Sequence, residues 1–269
     1  MNGVPSLPLA ALPEQDLGGV VGIMTDIDDT LTADGRLDPP AHEALIALRA
    51  AQLPVIAITG RPLGWSEPYA RAWPVAAIVA ENGAVALIRE GATLHTEYAQ
   101  DTETRLRNAV RLREVAQRVL REVPGATLAR DSAGRVTDIA VDHSEFTQLD
   151  AAAIQQVVAL MQAEGMNATV SSIHVNGWFG THTKLSAARW MVRRLYGRDL
   201  ASEIGRWVYV GDSTNDQAMF GAFPLSVGVA NLRRFAAELH TWPAYITEGE
   251  RGAGFAEVAA RLLAARGAA

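Results

Sequence analysis

Three carboxylates are crowded into four residues directly after an apolar run near the start of the chain. Asp26, Asp28 and Asp29 follow residues 19–25, whose length and β-branched content are typical of a buried parallel strand. Carboxylates this close repel one another and lose hydration when buried, so such a cluster either binds a cation or takes part in chemistry. The alternative interpretation is a solvated turn whose aspartates cap the next segment.

The order of apolar strand, polar tip and helix start recurs further along the chain. Residues 54–58 and 206–210 have the pattern of buried strands, and a helix is predicted to begin at residue 183. Right-handed crossovers lay such strands parallel, so their polar tips meet along one edge of the sheet, where ligands of these sheets bind. The residues expected to converge there are Asp26, Asp28, Thr59, Lys184, Asp212 and Asp216.

Lys184 is the most informative of these residues by itself. A cation in the first turn of a helix opposes the helix dipole, which typically costs about 0.3–1 kcal/mol. A purely structural role would favour an acidic or neutral residue there, so the charge indicates another purpose. Asp212 and Asp216 are weaker evidence individually, because aspartates commonly cap helices.

The pattern of elements predicts an α/β fold in which a doubly wound parallel sheet forms the core. The predicted order of elements in residues 84–180 differs from that of the flanking segments, because it has hairpins and two helices in place of alternating strands and helices. This order predicts an inserted α+β domain. We therefore expect a core from residues 19–83 and 181–269. Residues 1–18, with three prolines, are predicted to be a flexible leader.

Composition excludes several classes of protein. The chain has 269 residues, of which 49% are hydrophobic and 20% charged, as in a soluble globular protein. Its net charge of −6 argues against a nucleic-acid partner, and the absence of cysteine excludes disulfides and thiolate metal sites. Neither a signal peptide nor a membrane-spanning segment is evident, so we expect a cytoplasmic protein without a membrane partner.

The motifs together resemble those of the haloacid dehalogenase-like hydrolase superfamily. They are Asp26-x-Asp28-x-Thr30, Thr59, Lys184 and Gly211-Asp212-x-x-Asn215-Asp216, in the family's order and spacing. The insert resembles the C2-type cap of subtype B, which phosphomannomutases and the phosphatases of sucrose, trehalose and mannosylglycerate phosphates carry. One departure is Asp29, which stands where many members have glycine.

The resemblance implies a role for each motif residue. Asp26 would be the nucleophile that forms an aspartyl-phosphate, and Asp28 the general acid and base. Magnesium would be bound by the carboxylates of Asp26 and Asp212 and by the backbone carbonyl of Asp28, with Asp216 either as a further ligand or as a support for the site. The residues expected to bind the phosphoryl group are Thr59, Gly60, Lys184 and Asn215.

The last strand of the insert is the expected source of specificity. Alternation places His174, Asn176 and Trp178 on one face, and such polar and aromatic groups suit a sugar ring. A solvent-exposed strand face is an equal alternative, and a turn at Asn176-Gly177 would break the alternation. Arg61 is a further substrate-binding candidate, although an arginine at a helix start is usually solvated.

These inferences predict a Mg²⁺-dependent phosphatase that hydrolyses a phosphomonoester, most simply a sugar phosphate, as a monomer or homodimer. The first alternative is a phosphosugar mutase that uses the same intermediate. The second is a non-catalytic sugar-phosphate sensor, which the presence of both Asp26 and Asp28 argues against.

Overall fold

The computed structural model describes residues 6–267. The strands in this part of the chain are β1 (Leu7–Pro8), β2 (Gly22–Thr25), β3 (Thr32–Ala33), β4 (Arg36–Leu37), β5 (Val55–Ile58), β6 (Ala77–Ala80), β7 (Val85–Glu90), β8 (Thr93–Tyr98), β9 (Thr127–Leu128), β10 (Asp138–Asp142), β11 (Asn167–Val170), β12 (His174–Trp178), β13 (Trp207–Gly211), β14 (Leu225–Gly228) and β15 (Tyr245–Ile246). The α-helices are α1 (Glu14–Leu17), α2 (Pro39–Ala50), α3 (Leu63–Ala72), α4 (Thr102–Glu122), α5 (Ala151–Ala163), α6 (Lys184–Tyr196), α7 (Leu200–Glu203), α8 (Gln217–Ala222) and α9 (Arg251–Ala265). No helix among residues 6–267 has the length and apolar character needed to cross a membrane.

A nine-stranded sheet in the order β1-β15-β14-β13-β2-β5-β6-β7-β8 forms the centre of the fold. In this order the first seven strands, from β1 at the edge through β6, pair in parallel. The last two strands, β7 and β8, add an antiparallel edge. Successive side chains of β2, β5 and β13 enter two different hydrophobic clusters. Both faces are therefore buried, which explains why these strands are continuous apolar runs.

One cluster packs α2 and α9 against the sheet, and the other packs α6, α7 and α8 against the opposite face. The chain passes from β2 to β5 on one side and returns to β13 on the other side of β2. This reversal makes a topological switch point at the carboxyl end of β2, where ligands of open α/β sheets bind. The predicted doubly wound α/β core is confirmed.

The second sheet is antiparallel, in the order β11-β12-β10-β9. One of its faces packs against α4 and α5, through residues that include Val141, Val175, Val119 and Met161. The other face carries the polar residues of β10 and β12 and contacts the central domain, where Asn176 Nδ2 lies 3.4 Å from the Gly60 carbonyl oxygen. The inserted α+β unit predicted from the sequence is thus present, and its polar face lies against the core.

The predicted flexible leader is wrong for the residues that the structure describes. Residues 7–8 form β1 beside β15, and Leu9, Leu12 and Leu17 are buried in the larger core cluster. Burial of these leucines outweighs the loop-like composition of the segment. Residues 1–5 lie outside the described part of the chain.

The predicted start of the insert at residue 84 also differs from the structure. Residues 85–98 form β7 and β8, which extend the central sheet as a hairpin. The hairpin follows β6 through the turn at Glu81-Asn82-Gly83, so local pairing keeps it in the core sheet. The second sheet and its helices begin only at α4.

Gly22 offers a test of the core packing. A Cβ atom at this position would overlap the ring of Trp207, its neighbour on β13, and that ring is fully buried. We expect Gly22→Ala to lower the free energy of unfolding by about 1–3 kcal/mol, as overpacking does. Urea denaturation measures the change.

Gly19→Ala is the matched control, because nothing lies within 4 Å of a Cβ atom at that position. Equal stability of the two variants would contradict the packing described for β2 and β13.

Candidate active site

The ends of three neighbouring strands bring the predicted site together. Asp26 directly follows β2, and its backbone N–H donates to the carbonyl of Val210 on β13 over 2.9 Å. This bond places Asp26 beside Asp212, which follows β13 directly. Thr59 follows β5, the other neighbour of β2. Lys184 is the first residue of α6, whose start is fixed by a capping box between Thr183 and Ser186.

Lys184 is the cation at the centre of the site. Its Nζ lies 3.0 Å from Asp26 Oδ1 and 2.8 Å from Asp216 Oδ1, and its side chain is 5% exposed. It also donates to Asn215 Oδ1 over 3.4 Å. Burial lowers the pKa of Lys184, but the carboxylates of Asp216 and Asp26 raise it by more, so the net direction is upward. The site therefore holds a fixed positive charge beside Asp26.

Asp216 is occupied by contacts within the protein. Its Oδ1 accepts from Lys184 and from the hydroxyl of Tyr209, and its Oδ2 accepts from the backbone N–H groups of Asp212 at 2.9 Å and Ser213 at 3.2 Å. A carboxylate with this many donors holds a loop in place. This geometry favours the supporting role for Asp216 over that of an open metal ligand.

Asp26, Asp212 and Asp216 form a buried acidic triad in which one oxygen of each lies within 4.8 Å of the others. Burial raises the pKa of Asp26 to about 7 although Lys184 opposes it, and burial with the charges of Asp216 and Asp26 raises that of Asp212. Asp212 Oδ1 is buried and has no hydrogen-bond partner among the described residues, while Oδ2 accepts from Asn231. A free oxygen in an all-carboxylate site suits a hard divalent cation such as Mg²⁺.

Thr59 and Gly60 form the loop after β5. Thr59 is fully buried, and its Oγ1 accepts from the backbone N–H of Arg61 over 3.0 Å. The Gly60 carbonyl accepts from Arg135 at 2.9 Å and from Asn176 at 3.4 Å. The second sheet thus contacts the predicted phosphate-binding loop.

Arg61 is buried, contrary to the expectation for an arginine at a helix start. Its Nε lies 2.9 Å from Asp28 Oδ1, and its other nitrogens lie 2.9 Å from Glu145 and 3.2 Å from Asp131. Burial lowers the pKa of Arg61, but the carboxylates of Asp28 and Glu145 raise it above its ordinary value. This arginine connects the predicted acid–base residue to the second sheet's domain.

The alternation predicted for β12 is confirmed, and all three residues of its polar face are buried. His174 lies 2.9 Å from Glu145, Asn176 contacts the Gly60 loop, and Trp178 Nε1 donates to the carbonyl of His182 over 2.9 Å. The exposed-face alternative is therefore wrong. The turn at Asn176-Gly177 is wrong as well, because both residues pair within the sheet.

Comparison with known proteins bears directly on the family. Residues 23–117 match the sequence model of the family described as haloacid dehalogenase-like hydrolase, a stretch that contains Asp26, Asp28 and Thr59. This part of the chain is therefore similar in sequence to the haloacid dehalogenase-like hydrolases. No curated protein matches it by sequence.

Solved structures extend the likeness over nearly the whole of the chain. The sucrose-phosphatase of Synechocystis, solved with sucrose and phosphate, has a TM-score of 0.64 at 16% identity, covering 90% of this chain and 97% of its own. The C-terminal domain of trehalose-6-phosphate phosphatase from C. albicans has a TM-score of 0.68 at 13% identity, covering 99% of both chains. A haloacid dehalogenase-like hydrolase from Bacteroides thetaiotaomicron has a TM-score of 0.61 at 16% identity, covering 90% of this chain and 99% of its own. At these identities the likeness establishes the fold alone.

Several residues of the site are not predicted by the sequence pattern. Tyr209 lies in an apolar strand and has the pattern of a core residue, yet its hydroxyl binds Asp216. Asn231 contacts Asp212, and Glu145 contacts Arg61 and His174. Neither residue belongs to a motif or stands at a predicted strand end, so no local signal could have identified it.

Glu145 makes acid stability a test of the contact between the two domains. Burial raises its pKa, but the hydrogen bond from His174 and the charge of Arg61 outweigh burial and lower the pKa to about 2. A depressed pKa contributes stability above the unfolded-state value of 4.5, and this contribution disappears as the pH falls toward 2. We expect Glu145→Gln to lower the free energy of unfolding by roughly 2–3 kcal/mol at pH 7.

Urea unfolding of both proteins at several pH values checks this expectation, since the difference should shrink below about pH 4.5. Glu248→Gln, at an exposed glutamate, is the control and should show no comparable trend. A difference that stays constant with pH would contradict the assigned ion pair.

Proposed function

We propose that this protein is a Mg²⁺-dependent phosphatase that cleaves a phosphomonoester, with a sugar phosphate as its substrate. The observation that carries the proposal is the buried ammonium of Lys184, held 3.0 Å from Asp26 Oδ1 in a site that also contains Asp212. An anionic nucleophile can approach an anionic phosphoryl group only where cations offset the repulsion. Two of the structurally similar proteins are named as phosphatases of sugar phosphates, which supports the substrate class.

The first chemical step is assigned to Asp26. A carboxylate oxygen attacks phosphorus, the bond from phosphorus to the leaving-group oxygen breaks, and an aspartyl-phosphate forms. Lys184 offsets the charge of the phosphoryl oxygens while it holds Asp26 in position. Thr59, Gly60 and Asn215 are assigned to the same phosphoryl oxygens.

Asp28 is assigned the proton transfers. It protonates the departing oxygen in the first step and accepts a proton from water in the second, when water attacks phosphorus, the bond from phosphorus to the Asp26 oxygen breaks, and the free carboxylate and inorganic phosphate result. Its carboxylate is held by Arg61 Nε at 2.9 and 3.0 Å. Arg61 therefore fixes the orientation of Asp28 relative to the domain that covers it.

The acidic triad fits a divalent cation, as its free Asp212 oxygen indicates. Asp26, Asp212 and the backbone carbonyl of Asp28 would hold Mg²⁺, with Asp216 as support. When bound, the ion supplies positive charge that offsets the developing charge on the phosphoryl group.

The predicted cap would close over this site. Its contacts with the core, at Arg61, Gly60 and Glu81, are polar and therefore suited to opening and closing. Closure would exclude bulk water during phosphoryl transfer. We assign residues 99–183 to this cap.

Phosphate release from a panel of phosphomonoesters tests the function. We expect release that depends on added Mg²⁺ and that Asp26→Asn abolishes, because an amide cannot act as the nucleophile. Asp199→Asn is the control and should retain activity, because Asp199 is an exposed helix cap that is not assigned to the site.

If no phosphomonoester releases phosphate in a Mg²⁺-dependent manner, the proposal is contradicted. Isomerisation of a phosphosugar without release of phosphate would instead establish the mutase.

Metal binding can be tested apart from activity. A ligand that binds only the folded state stabilises it, by about 2.7 kcal/mol at a hundred times its Kd. We expect Mg²⁺ to raise the Tm of the parent and to raise that of Asp212→Asn much less. Because burial penalises the Asp212 carboxylate, the variant should be at least as stable as the parent without Mg²⁺. Equal Mg²⁺-induced shifts in both proteins would show that Asp212 does not bind the ion.

A further inference from the structure

A cleft of about 350 Å³ lies between the core and the second sheet's domain. Its lining includes Asp28 and Arg61 from the core and Ser144, Glu145 and Ser172 from the other domain. Asp28 is the residue that would protonate the leaving-group oxygen under the proposed function. The cleft therefore adjoins the position of the leaving group.

Three residues that line this cleft have left-handed backbones although none is glycine. The φ angles of Asp29, Asp34 and Arg251 are 52°, 51° and 53°. Aspartate tolerates this conformation better than most residues, but for arginine it is uncommon. Non-glycine residues in sparsely populated conformations concentrate at functional sites, where the surrounding structure holds them.

Asn231 holds the two strained backbones that face each other. Its Oδ1 accepts from the backbone N–H of Arg251 at 2.9 Å, and its Nδ2 donates to the carbonyl of Asp29 at 3.0 Å. The same Nδ2 lies 3.3 Å from Asp212 Oδ2. The positions of Asp29 and Arg251 are thus tied to the acidic triad.

The side chains of this pair keep capacity for further hydrogen bonds. Arg251 Nε lies 3.0 Å from Asp29 Oδ1 without the alignment of a hydrogen bond and is itself buried, whereas Nη1 lies 3.6 Å from Asp34 Oδ1, beyond hydrogen-bond distance. The side chains are 27% and 20% exposed, so they are reachable from the cleft. A carboxylate and a guanidinium side by side can accept from and donate to neighbouring hydroxyl groups.

The charge of the cleft limits what it can bind. Four carboxylates line it against two guanidinium groups, those of Arg61 and Arg251; the carboxylates belong to Asp28, Asp29, Asp34 and Glu145. A leaving group with its own anionic charge would be repelled, since the carboxylates of Asp28, Asp29 and Glu145 are at most 21% exposed and like charges in a partly buried site interact strongly. An uncharged molecule rich in hydroxyl groups meets acceptors and donors without that repulsion.

We propose that Asp29 and Arg251 are substrate-binding residues that recognise the hydroxyl groups of an uncharged polyol leaving group, and that the carboxylates of the cleft reject leaving groups with a second anion. This inference rests on the proposed phosphatase function. It narrows the substrate to the phosphate ester of a neutral sugar or sugar alcohol.

Phosphate release from three kinds of ester tests the inference. The neutral sugar esters are glucose 6-phosphate, mannose 6-phosphate, trehalose 6-phosphate and sucrose 6-phosphate. The acidic counterpart is 6-phosphogluconate, and p-nitrophenyl phosphate lacks aliphatic hydroxyl groups. We expect kcat/KM of the parent for its best neutral sugar ester to exceed that for each of the other two by at least about tenfold.

Asp29→Asn removes the charge but retains a residue that tolerates a left-handed backbone. We expect the preference for the neutral sugar ester over 6-phosphogluconate to fall by about tenfold in this variant. Asp29→Gly, which also fits the backbone, should lower the preference over p-nitrophenyl phosphate by a similar factor.

Gln52→Gly is the matched control, because Gln52 has a φ of 57° and does not line the cleft. It relieves the same kind of backbone conformation and should leave both preferences unchanged. Thermal unfolding of each variant verifies that it is folded. Preferences within twofold of the parent in both Asp29 variants would overturn the inference.

The outcomes separate this inference from the function on which it rests. A parent that hydrolyses p-nitrophenyl phosphate but shows no preference for neutral sugar esters is a phosphatase without the proposed recognition. A parent that releases phosphate from none of the esters contradicts the phosphatase function itself.

Discussion

The contact of Lys184 with two buried carboxylates is the interaction on which the site depends. Its ammonium lies within 3.0 Å of both Asp26 and Asp216, and all three side chains are nearly inaccessible to solvent. Buried charges are tolerated only when they are paired and hydrogen-bonded. A neutral residue at this position would leave Asp26, Asp212 and Asp216 as an uncompensated cluster of like charges.

This pairing can form only because the chain returns to the centre of the sheet after the insert. Lys184 begins α6 directly after the second sheet's domain, and α6 packs beside the strands that carry the aspartates. The hydrogen bonds to Asp216 from Tyr209 and from the backbone of the following loop then fix the third carboxylate. The packing of α6 in the core therefore also determines the electrostatics of the site.

The contact between the two domains has a different character, because its members are almost all polar. Glu81 accepts from the backbone N–H groups of Leu63, Val136 and Thr137, and thereby ties a turn of the core to a loop of the other domain. Arg61 joins Asp28 to Glu145 and Asp131. Interfaces of this kind separate more readily than hydrophobic ones, which supports the opening and closing proposed for this domain.

The sequence by itself determined the parallel core, the inserted α+β unit and the convergence of Asp26, Thr59, Lys184 and Asp212, because these follow from local apolar periodicity and from the handedness of crossovers. Only the tertiary structure decided that residues 6–17 and 85–98 join the central sheet and its core, since pairing and burial with distant segments outweigh local composition. The tertiary structure alone also placed Tyr209, Asn231 and Glu145 in the site. Asn231 and Glu145 contact residues far along the chain, and Tyr209 lies within an apolar strand, so no local pattern encodes these contacts.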